Sequence, residues 1–317
     1  MTDPRGSAVA ERADPLLGVV VTVVDGGEAV ARLLTALTTQ RDPPPMDIVV
    51  PFDASIDEVA ALAPRFPSVT FLPLGALATE APLATASGQH ELYDRRRSAA
   101  LAATRGDLVA IVEDRGIPRP DWARVAVRLH RQPHAVIGGA IEPAPSRLVD
   151  WALHVCDFSR YALPFPARPV EWVSDVNVVY KRGALERTRP LWRERFHEPL
   201  VHWQLRTEGE TLWLSPELVV DHHRIPRPLG RLVRERFGWG RLFGAIRTRA
   251  VGPGRRVLLT LAAPLVPVLL LARHARVRFR RGEGARFLAA IPILLLFLVA
   301  WTAGEATGQA TGRTARR

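Results

Sequence analysis

The sequence predicts an α/β domain with a mostly parallel central sheet, followed by amphipathic and hydrophobic helices. Short apolar runs alternate with segments of helical periodicity in the first two thirds of the chain, as in proteins with parallel sheets. Two long apolar runs without any charge follow after residue 256. The 317 residues are 47% hydrophobic and 24% charged, a globular composition that excludes a disordered or collagen-like chain.

The predicted strands and helices follow one another in a regular order. The first strand, Leu17–Val24, is an apolar run that a Gly-Gly turn joins to the helix Ala29–Thr39. After these come the strand Asp47–Val50, the helix Ile56–Ala63, the strand Val69–Leu72, the helix Tyr93–Thr104, the strand Asp107–Val112, and two further strands at Ala135–Ile141 and Val173–Tyr180.

The net charge of +11 is distributed very unevenly. Residues 221–317 hold 19 arginines and four acidic residues, a net charge of +15, which leaves −4 for residues 1–220. A basic segment of this kind suggests an anionic partner, either nucleic acid or a lipid surface. Cys156 is the single cysteine, so a disulfide scaffold and a cysteine-based zinc cluster are excluded.

The apolar runs decide between these two partners. Val257–Ala272 and Phe287–Ala303 contain no charge and lie at or just below the roughly 17–25 residues of a membrane-spanning helix. Core helices of a soluble protein are the alternative, but arginines flank both runs, which favours a membrane. The segment 226–256 mixes arginines with large apolar residues, as expected of a helix on anionic headgroups. We therefore expect anionic membrane lipids as a partner and no nucleic acid.

The membrane topology of these two runs follows less directly from the sequence. The linker 273–286 carries six arginines, and two crossings would place it on the far side of the membrane, against the positive-inside tendency. We expect the proline-containing first run to be interfacial or re-entrant and regard the second as the candidate for crossing. The N-terminal residues show no signal peptide, so we expect the α/β domain to remain in the cytoplasm, at a bacterial inner membrane.

Carboxylates stand where predicted strands end. Asp53 follows the second strand, and Glu113 and Asp114 follow the fourth. In an open α/β sheet, ligands bind at the carboxyl ends of the strands. Each of these acids is by itself also compatible with a helix cap or a loop, since Ser55 or Asp57 is suited to start the next helix.

Six segments resemble the family 2 glycosyltransferases, which have the GT-A nucleotide-sugar fold, over roughly residues 17–225. DIVVPFDASID is similar to the segment whose acid contacts the nucleotide base, which implies that role for Asp53. The run from Arg97 to Asp107 resembles the RNxGxxxAxGD helix, and Arg97 and Gly106 match. VEDRGIPRPDW resembles the DxD segment. The resemblance thus implies donor binding by Asp53, Arg97, Glu113, Asp114 and Arg115.

Two more segments resemble the acceptor side of that family. Gly138, Gly139 and Asn177 match its acceptor-side positions in IGGAIEP and SDVNVVYKRGAL. Trp172 and Trp203 are candidates for stacking on an acceptor, because they neighbour Asn177 and Glu198 in the sequence. Other tryptophans are interpreted as packing residues.

The predicted general base is Glu198. FHEPLVHWQLRTEGETLWLSPELVVDHH resembles the segment that carries the family's catalytic base, which precedes a helix-ending glycine by eleven residues; counting back from Gly209 reaches Glu198. His197 replaces the family's preceding acid and is expected to tune the base or bind acceptor, or else to be a solvated residue at the helix start. Glu198 as an N-terminal helix carboxylate is the structural alternative.

A divalent metal, Mn²⁺ or Mg²⁺, is implied by the resemblance to DxD. Glu113 and Asp114, with His222 or His223 as the third ligand, are the expected ligands; we select His223. Arg115 stands at the last acidic position of the motif and cannot bind a cation. It is alternatively able to neutralise phosphate charge itself by bidentate hydrogen bonds.

The sequence therefore predicts a membrane-associated glycosyltransferase that transfers one sugar from a UDP- or GDP-linked donor to a hydroxyl acceptor, with inversion. The acceptor is expected to be a lipid-linked saccharide or another glycan precursor. A catalytically inactive glycosyltransferase-like scaffold is the alternative. The predicted organisation is a flexible N-terminus (1–16), the catalytic domain (17–225), a basic interfacial segment (226–256), hydrophobic helices (257–304) and a basic tail (305–317).

Overall fold

The computed structural model describes residues 16–144, 146–248 and 252–313. The predicted flexible segment 1–16 lies outside the described residues apart from Leu16, as do 249–251 of the basic segment and 314–317 of the tail.

One mixed sheet forms the centre of the molecule, with the order β3-β2-β1-β4-β8-β6-β9-β5 and β7 paired with β9. The strands β3, β2, β1 and β4 are all parallel, whereas β8 is antiparallel to both of its neighbours. The strands are β1 (Leu17–Thr22), β2 (Met46–Phe52), β3 (Val69–Pro73), β4 (Leu108–Glu113), β5 (Gly116–Pro118), β6 (Val136–Pro143), β7 (Arg168–Val170), β8 (Asn177–Lys181) and β9 (Leu212–His222).

Helices cover both faces of this sheet and form a separate group at the C-terminal end. The helices are α1 (Gly27–Thr38), α2 (Ala86–Ala103), α3 (Trp122–Leu129), α4 (Leu148–Phe158), α5 (Arg182–Arg187), α6 (Arg189–Trp192), α7 (Glu198–Thr207), α8 (Leu229–Arg247), α9 (Pro253–Ala262), α10 (Val266–Arg280) and α11 (Gly284–Thr311). Short 3-10 helices lie at Asp57–Arg65, Ser159–Tyr161 and Ala263–Leu265.

The predicted α/β fold with a mostly parallel central sheet is confirmed. β1 is buried along its whole length, which explains its continuous apolar sequence, and the Gly-Gly turn follows it as predicted. Gly26 has a φ of 71°, a conformation that favours glycine. The predicted helix Ile56–Ala63 is instead a 3-10 helix containing Pro64, and α2 begins seven residues before the predicted Tyr93 because Thr85 caps it.

Glycines hold α8 and α11 in direct backbone contact. A Cβ at Gly240 would lie 2.1 Å from the carbonyl oxygen of Trp301, and one at Gly244 would lie 2.2 Å from that of Glu305. Gly304 and Gly308 of α11 meet the backbone of α8 equally closely. Since later residues of α8 contact later residues of α11, the two helices run parallel through a pair of GxxxG sequences.

Two C-terminal helices are long and apolar enough to cross a membrane by length and composition, Thr260–Arg280 and Gly284–Thr311. The most apolar stretch of the second is 44% buried within the protein, where Phe287, Leu294 and Phe297 pack with Trp151 of α4. That of the first is only 11% buried. Its large exposed hydrophobic residues are Leu261, Leu265, Val268, Leu269 and Phe279, and Leu258 just before it is also exposed.

The glycine contacts predict a large difference between two identical substitutions in α8. Gly240→Ala is expected to lower the free energy of unfolding by about 1–3 kcal/mol, because its methyl group would overlap the α11 backbone. Gly230→Ala should cause no loss, since a Cβ there meets no atom within 4 Å. Thermal and chemical unfolding of both variants in mild detergent measures the difference, and equal stability would contradict the close pairing.

Candidate functional site

The carboxylate of Asp114 fixes the loop that follows β1. Its Oδ2 accepts hydrogen bonds from the backbone N–H groups of Val24, Asp25 and Gly26 at 2.9–3.0 Å. Its Oδ1 is buried and has no hydrogen-bond partner among the described residues. Burial raises the pKa of Asp114 to about 6. The loop is thus held at the end of β4, and one carboxylate oxygen remains available to a ligand.

Arg115 forms an ion pair with Asp25 beside this loop. Its Nε and Nη2 donate to the Asp25 carboxylate at 2.7 and 2.5 Å, and Arg227 donates to the same carboxylate at 3.0 Å. Burial opposes ionisation of Asp25, but the two arginines hold its pKa below the ordinary value. Glu113 lies 3.7 Å from Arg115, and burial raises its pKa to about 7. The last position of the predicted DxD segment therefore contributes a cation that is already paired.

Asp53 lies at the end of β2, where it forms a buried ion pair with Arg96. Both carboxylate oxygens lie within 3.2 Å of the guanidinium, and Asp53 Oδ1 also accepts hydrogen bonds from the backbone N–H and the hydroxyl of Ser55. Arg96 donates in addition to the carbonyl oxygen of Val23. These contacts connect the ends of β1 and β2, so Asp53 acts within a loop network and does not stand alone.

Arg97, the next residue of α2, is also buried. Its guanidinium donates to the hydroxyl of Thr22 at 3.0 Å and to Asp94 at 3.3 Å, and forms an ion pair with Asp175 at 2.6 Å. Although burial opposes it, the charges of Asp175 and Asp94 raise the pKa of Arg97. Arg97 thereby joins β1, α2 and the segment before β8.

Glu198 is the first residue of α7 and is half-buried near the same arginine. Burial and the negative charge of Asp175 raise its pKa to about 8, while Arg97 opposes the shift. Asp175 also raises the pKa of Glu113. The charges of Asp175 and Arg97 thus act on both Glu113 and Glu198, which lie around one electrostatic centre. A carboxyl group with a pKa near neutrality is suited to exchange protons with a substrate.

The two tryptophans singled out in the sequence contact each other. The rings of Trp172 and Trp203 meet edge to face with 5.5 Å between their centroids, and both side chains are partly exposed. Trp203 lies on α7, one and a half turns after Glu198.

The three predicted acceptor-side residues are packed inside the domain. They are Asn177, Gly138 and Gly139. The Asn177 amide donates to the carbonyl oxygens of Ala140 and Leu218 at 3.0 Å and accepts from Trp122 Nε1 at 2.9 Å. These bonds fill the irregularity in the β6–β9 pairing after Gly139. A Cβ at Gly139 would lie 2.2 Å from Asn177 Nδ2, and one at Gly138 would lie 2.5 Å from the side chain of Val173. Close packing therefore explains all three residue types.

The predicted metal ligands Glu113, Asp114 and His223 are not gathered into a cluster. The backbone N–H of His223 donates to the carbonyl oxygen of Arg115 at 2.7 Å, whereas burial and the charge of Arg32 lower the pKa of its imidazole. The described residues contain one group of three candidate ligand atoms within 4.8 Å of one another, and it consists of His90, Asp94 and His197.

A large cleft opens beside His197. Its volume is about 990 Å³, and it lies between the start of α2, the segment 190–200 and the ends of α8 and α11. His90, Asp94 and His197 line its wall. The C-terminal helices thus complete a cleft that is lined by His197, the residue before the predicted base.

Several residues that organise the site were not identified from the sequence. The sequence patterns missed Asp25, Asp94, Asp175 and His90. They also missed the pairing of Asp53 with Arg96. The rule that points to Asp53 and Asp114 also applies to Asp25, which follows β1. His90 and Asp94 are one helical turn apart, but no sequence signal places them beside His197.

The fold is similar to that of two solved glycosyltransferase structures. One is the mannosyltransferase PcManGT from Pyrobaculum calidifontis in complex with GDP-Man and Mn²⁺, with a TM-score of 0.57 and 15% identity over 92% of this chain and 87% of that chain. The other is residues 1–349 of S. aureus TarS in complex with UDP-GlcNAc, with a TM-score of 0.50 and 11% identity over 86% of this chain and 90% of that chain.

This likeness establishes a GT-A-like fold for the chain. No family model matches the sequence, and no curated protein matches it. At such low identities the fold is the shared property, so activity, donor and acceptor have to be argued from this chain's own residues.

The contacts of Asn177 predict a structural role that stability measurements can detect. Asn177→Ala leaves Trp122 Nε1 and two carbonyl oxygens without partners in a buried site, where each unsatisfied group costs about 1–3 kcal/mol. We expect a loss of at least about 2 kcal/mol in the free energy of unfolding. Gln132→Ala, at an exposed amide, is the control. A fully stable Asn177→Ala protein with weaker acceptor binding would instead support the acceptor-side prediction.

Proposed function

We propose that the protein is a glycosyltransferase that moves one sugar from a nucleotide sugar to a hydroxyl acceptor. The observation that carries this proposal is the ion pair of Arg97 with Asp175 at 2.6 Å, whose charges act on Glu113 and Glu198, in a GT-A-like fold. The donor is a UDP- or GDP-linked sugar. Support for this class comes from the two similar structures, which were solved with GDP-Man and UDP-GlcNAc.

The donor is proposed to bind along the carboxyl ends of β1, β2 and β4. Its nucleoside end lies toward Asp53, and its diphosphate lies near Glu113, Asp114 and Arg115. The ion pair of Asp53 with Arg96 and the Asp114 hydrogen bonds hold these loops in place before the donor arrives. Such preorganisation lowers the cost of ordering the site on binding.

Glu198 is the proposed general base. Its carboxylate accepts the proton of the acceptor hydroxyl while that oxygen attacks the anomeric carbon of the donor sugar. The bond from this carbon to the diphosphate breaks, and the nucleoside diphosphate leaves with the bonding electrons. Attack from the side opposite the leaving group inverts the anomeric configuration. Trp172 and Trp203 are proposed to bind the acceptor, with His197 beside the base.

Glu113 and Asp114 suit a divalent cation, Mn²⁺ or Mg²⁺. Asp114 offers an oxygen without a hydrogen-bond partner among the described residues, and both carboxyl groups have raised pKa values. A bound cation would favour their ionised forms and would neutralise charge on the leaving diphosphate. Arg115 provides positive charge at the same place, so we propose that it supplements the cation.

The scaffold alternative has one observation in its favour, the pairing of Arg115 with Asp25 at the last DxD position. A scaffold without catalytic activity has no need to bind a nucleotide sugar. Calorimetric titration of the chain with UDP- and GDP-sugars, with and without Mn²⁺, separates the two proposals.

Glu198→Gln is expected to reduce sugar transfer by about 10²–10⁴-fold, because an amide cannot accept the proton. Nucleotide-sugar binding should be retained, since the substitution preserves the shape of the side chain. Glu217→Gln is the matched control, because Glu217 is exposed and pairs with Arg128 away from the cleft. Transfer is measured as nucleoside diphosphate release in the presence of acceptor. Near-normal transfer by a folded Glu198→Gln protein would refute the base assignment.

The C-terminal helices are proposed to attach the protein to one leaflet of the membrane. Arg281 at the start of the α10–α11 linker forms an ion pair with Glu142 of β6 at 2.9 Å, and Arg286 donates to the carbonyl oxygen of Ser146. The far end of α11 pairs with α8, where Arg247 contacts Glu305 at 2.9 Å. Both ends of α11 are therefore bound to parts of the protein that carry many charges.

This arrangement favours an interfacial position over a crossing. A helix that spans the bilayer would carry the charged α8 with it, and arginine in the hydrocarbon core is costly. The exposed residues Leu261, Leu265 and Val268 would enter the acyl region instead, while Arg273, Arg276 and Arg280 are exposed on the same helical segment and would meet anionic headgroups. A bacterial inner membrane, with the catalytic domain in the cytoplasm and a lipid-linked glycan acceptor, is consistent with this geometry.

An interfacial position predicts that the α10–α11 linker never reaches the outer side of the membrane. Arg280→Cys, at the last residue of α10 beside this linker, in a Cys156→Ser background should fractionate with membranes, resist an impermeant maleimide in intact spheroplasts and react after permeabilisation. Glu217→Cys in the catalytic domain should behave identically. Labelling of the linker alone from outside would demonstrate a crossing hairpin.

A further inference from the structure

Two helices distant in sequence bring His90, Asp94 and His197 together. His90 and Asp94 lie one turn apart on the same face of α2, and His197 directly precedes α7. The backbone N–H of Phe196 donates to the carbonyl oxygen of Asp94 at 2.9 Å, which fixes the start of α7 against α2. The position of His197 is therefore set by the backbone.

The carboxylate of Asp94 presents one oxygen to both imidazoles. Its Oδ2 lies 3.0 Å from His90 Nδ1 and 3.5 Å from His197 Nδ1, while its Oδ1 lies 3.3 Å from Arg97. Arg97 thus orients the carboxylate from behind, as a second-shell partner does for a metal ligand.

Hydrogen bonds within the protein do not satisfy every ring nitrogen of these two histidines. His90 is partnered by Asp94, but the Nε2 of His197 is buried with no hydrogen-bond partner among the described residues. Buried polar groups normally have hydrogen-bond partners. This nitrogen therefore either binds a ligand or carries the uncompensated free-energy cost of its burial.

The surroundings leave one side of the group open. Trp239 of α8 packs edge-on against His90 with 5.5 Å between ring centroids, which closes one side. The other side faces the cleft of about 990 Å³. A cation held here would keep coordination positions free toward the cleft, as in metal sites that bind a substrate or water.

We propose that His90, Asp94 and His197 bind one divalent transition-metal ion, such as Zn²⁺. Two imidazoles and one carboxylate suit Zn²⁺, Co²⁺ or Fe²⁺, whereas Mg²⁺ and Ca²⁺ prefer all-oxygen ligands. This site is distinct from the proposed diphosphate-associated cation at Glu113 and Asp114. It does not depend on sugar transfer, and its free positions would bind an oxygen group that enters the cleft.

The test uses the full chain without an affinity tag, in detergent, with the metal alone and no nucleotide. Titration with Zn²⁺, and with Co²⁺ followed by visible absorption, should reveal one equivalent with imidazole coordination. His90→Ala and His197→Ala should each weaken this binding by at least about tenfold. His90→Gln and His197→Gln serve the same purpose if an alanine variant does not fold.

Two controls assign the binding to this site. His134→Ala removes an imidazole that stacks on Trp213, and it should bind metal as the parent does. Glu113→Gln should also bind the metal in the absence of nucleotide, which distinguishes this ion from the diphosphate-associated one. The proposal is overturned if the parent chain binds neither metal, or if the folded His90 and His197 variants bind as tightly as the parent.

Discussion

The buried guanidinium of Arg97 is the interaction on which the candidate site depends. It joins Thr22 at the end of β1, Asp94 on α2 and Asp175 before β8. A buried charge is stable only when it is paired and hydrogen-bonded, so this one cation constrains the side chains of all three segments. Glu198 lies within its field.

The acidic side chains at the carboxyl edge of the sheet fall into two groups, those paired closely with an arginine and those that are not. Arg96 neutralises Asp53, and Arg115 neutralises Asp25. Glu113 and Glu198 lack so close a compensation, and burial raises the pKa of both. The loops are thus fixed by paired acids, while the less compensated acids are the ones proposed to meet the cationic ligand and the substrate proton.

The C-terminal helices illustrate how packing changes the interpretation of hydropathy. By composition, Gly284–Thr311 resembles a membrane-spanning helix. In the structure its glycines contact the backbone of α8, and the linker before it is bound to Glu142. Part of its apolar surface is therefore used for packing within the protein, since 44% of its most apolar stretch is buried, against 11% for the preceding segment. Hydropathy does not distinguish these two uses.

The sequence alone determined the α/β class, the succession of the central strands along the chain and the carboxylates at their ends, because local periodicity and strand-end position encode them. It also located the basic, apolar C-terminal segment. Tertiary structure decided that Arg96 pairs with Asp53, that Asn177 serves the β6–β9 irregularity, and that His90 meets His197. Such contacts join residues far apart in the chain, and one-residue changes in register or helix rotation would abolish them, so no local pattern specifies them.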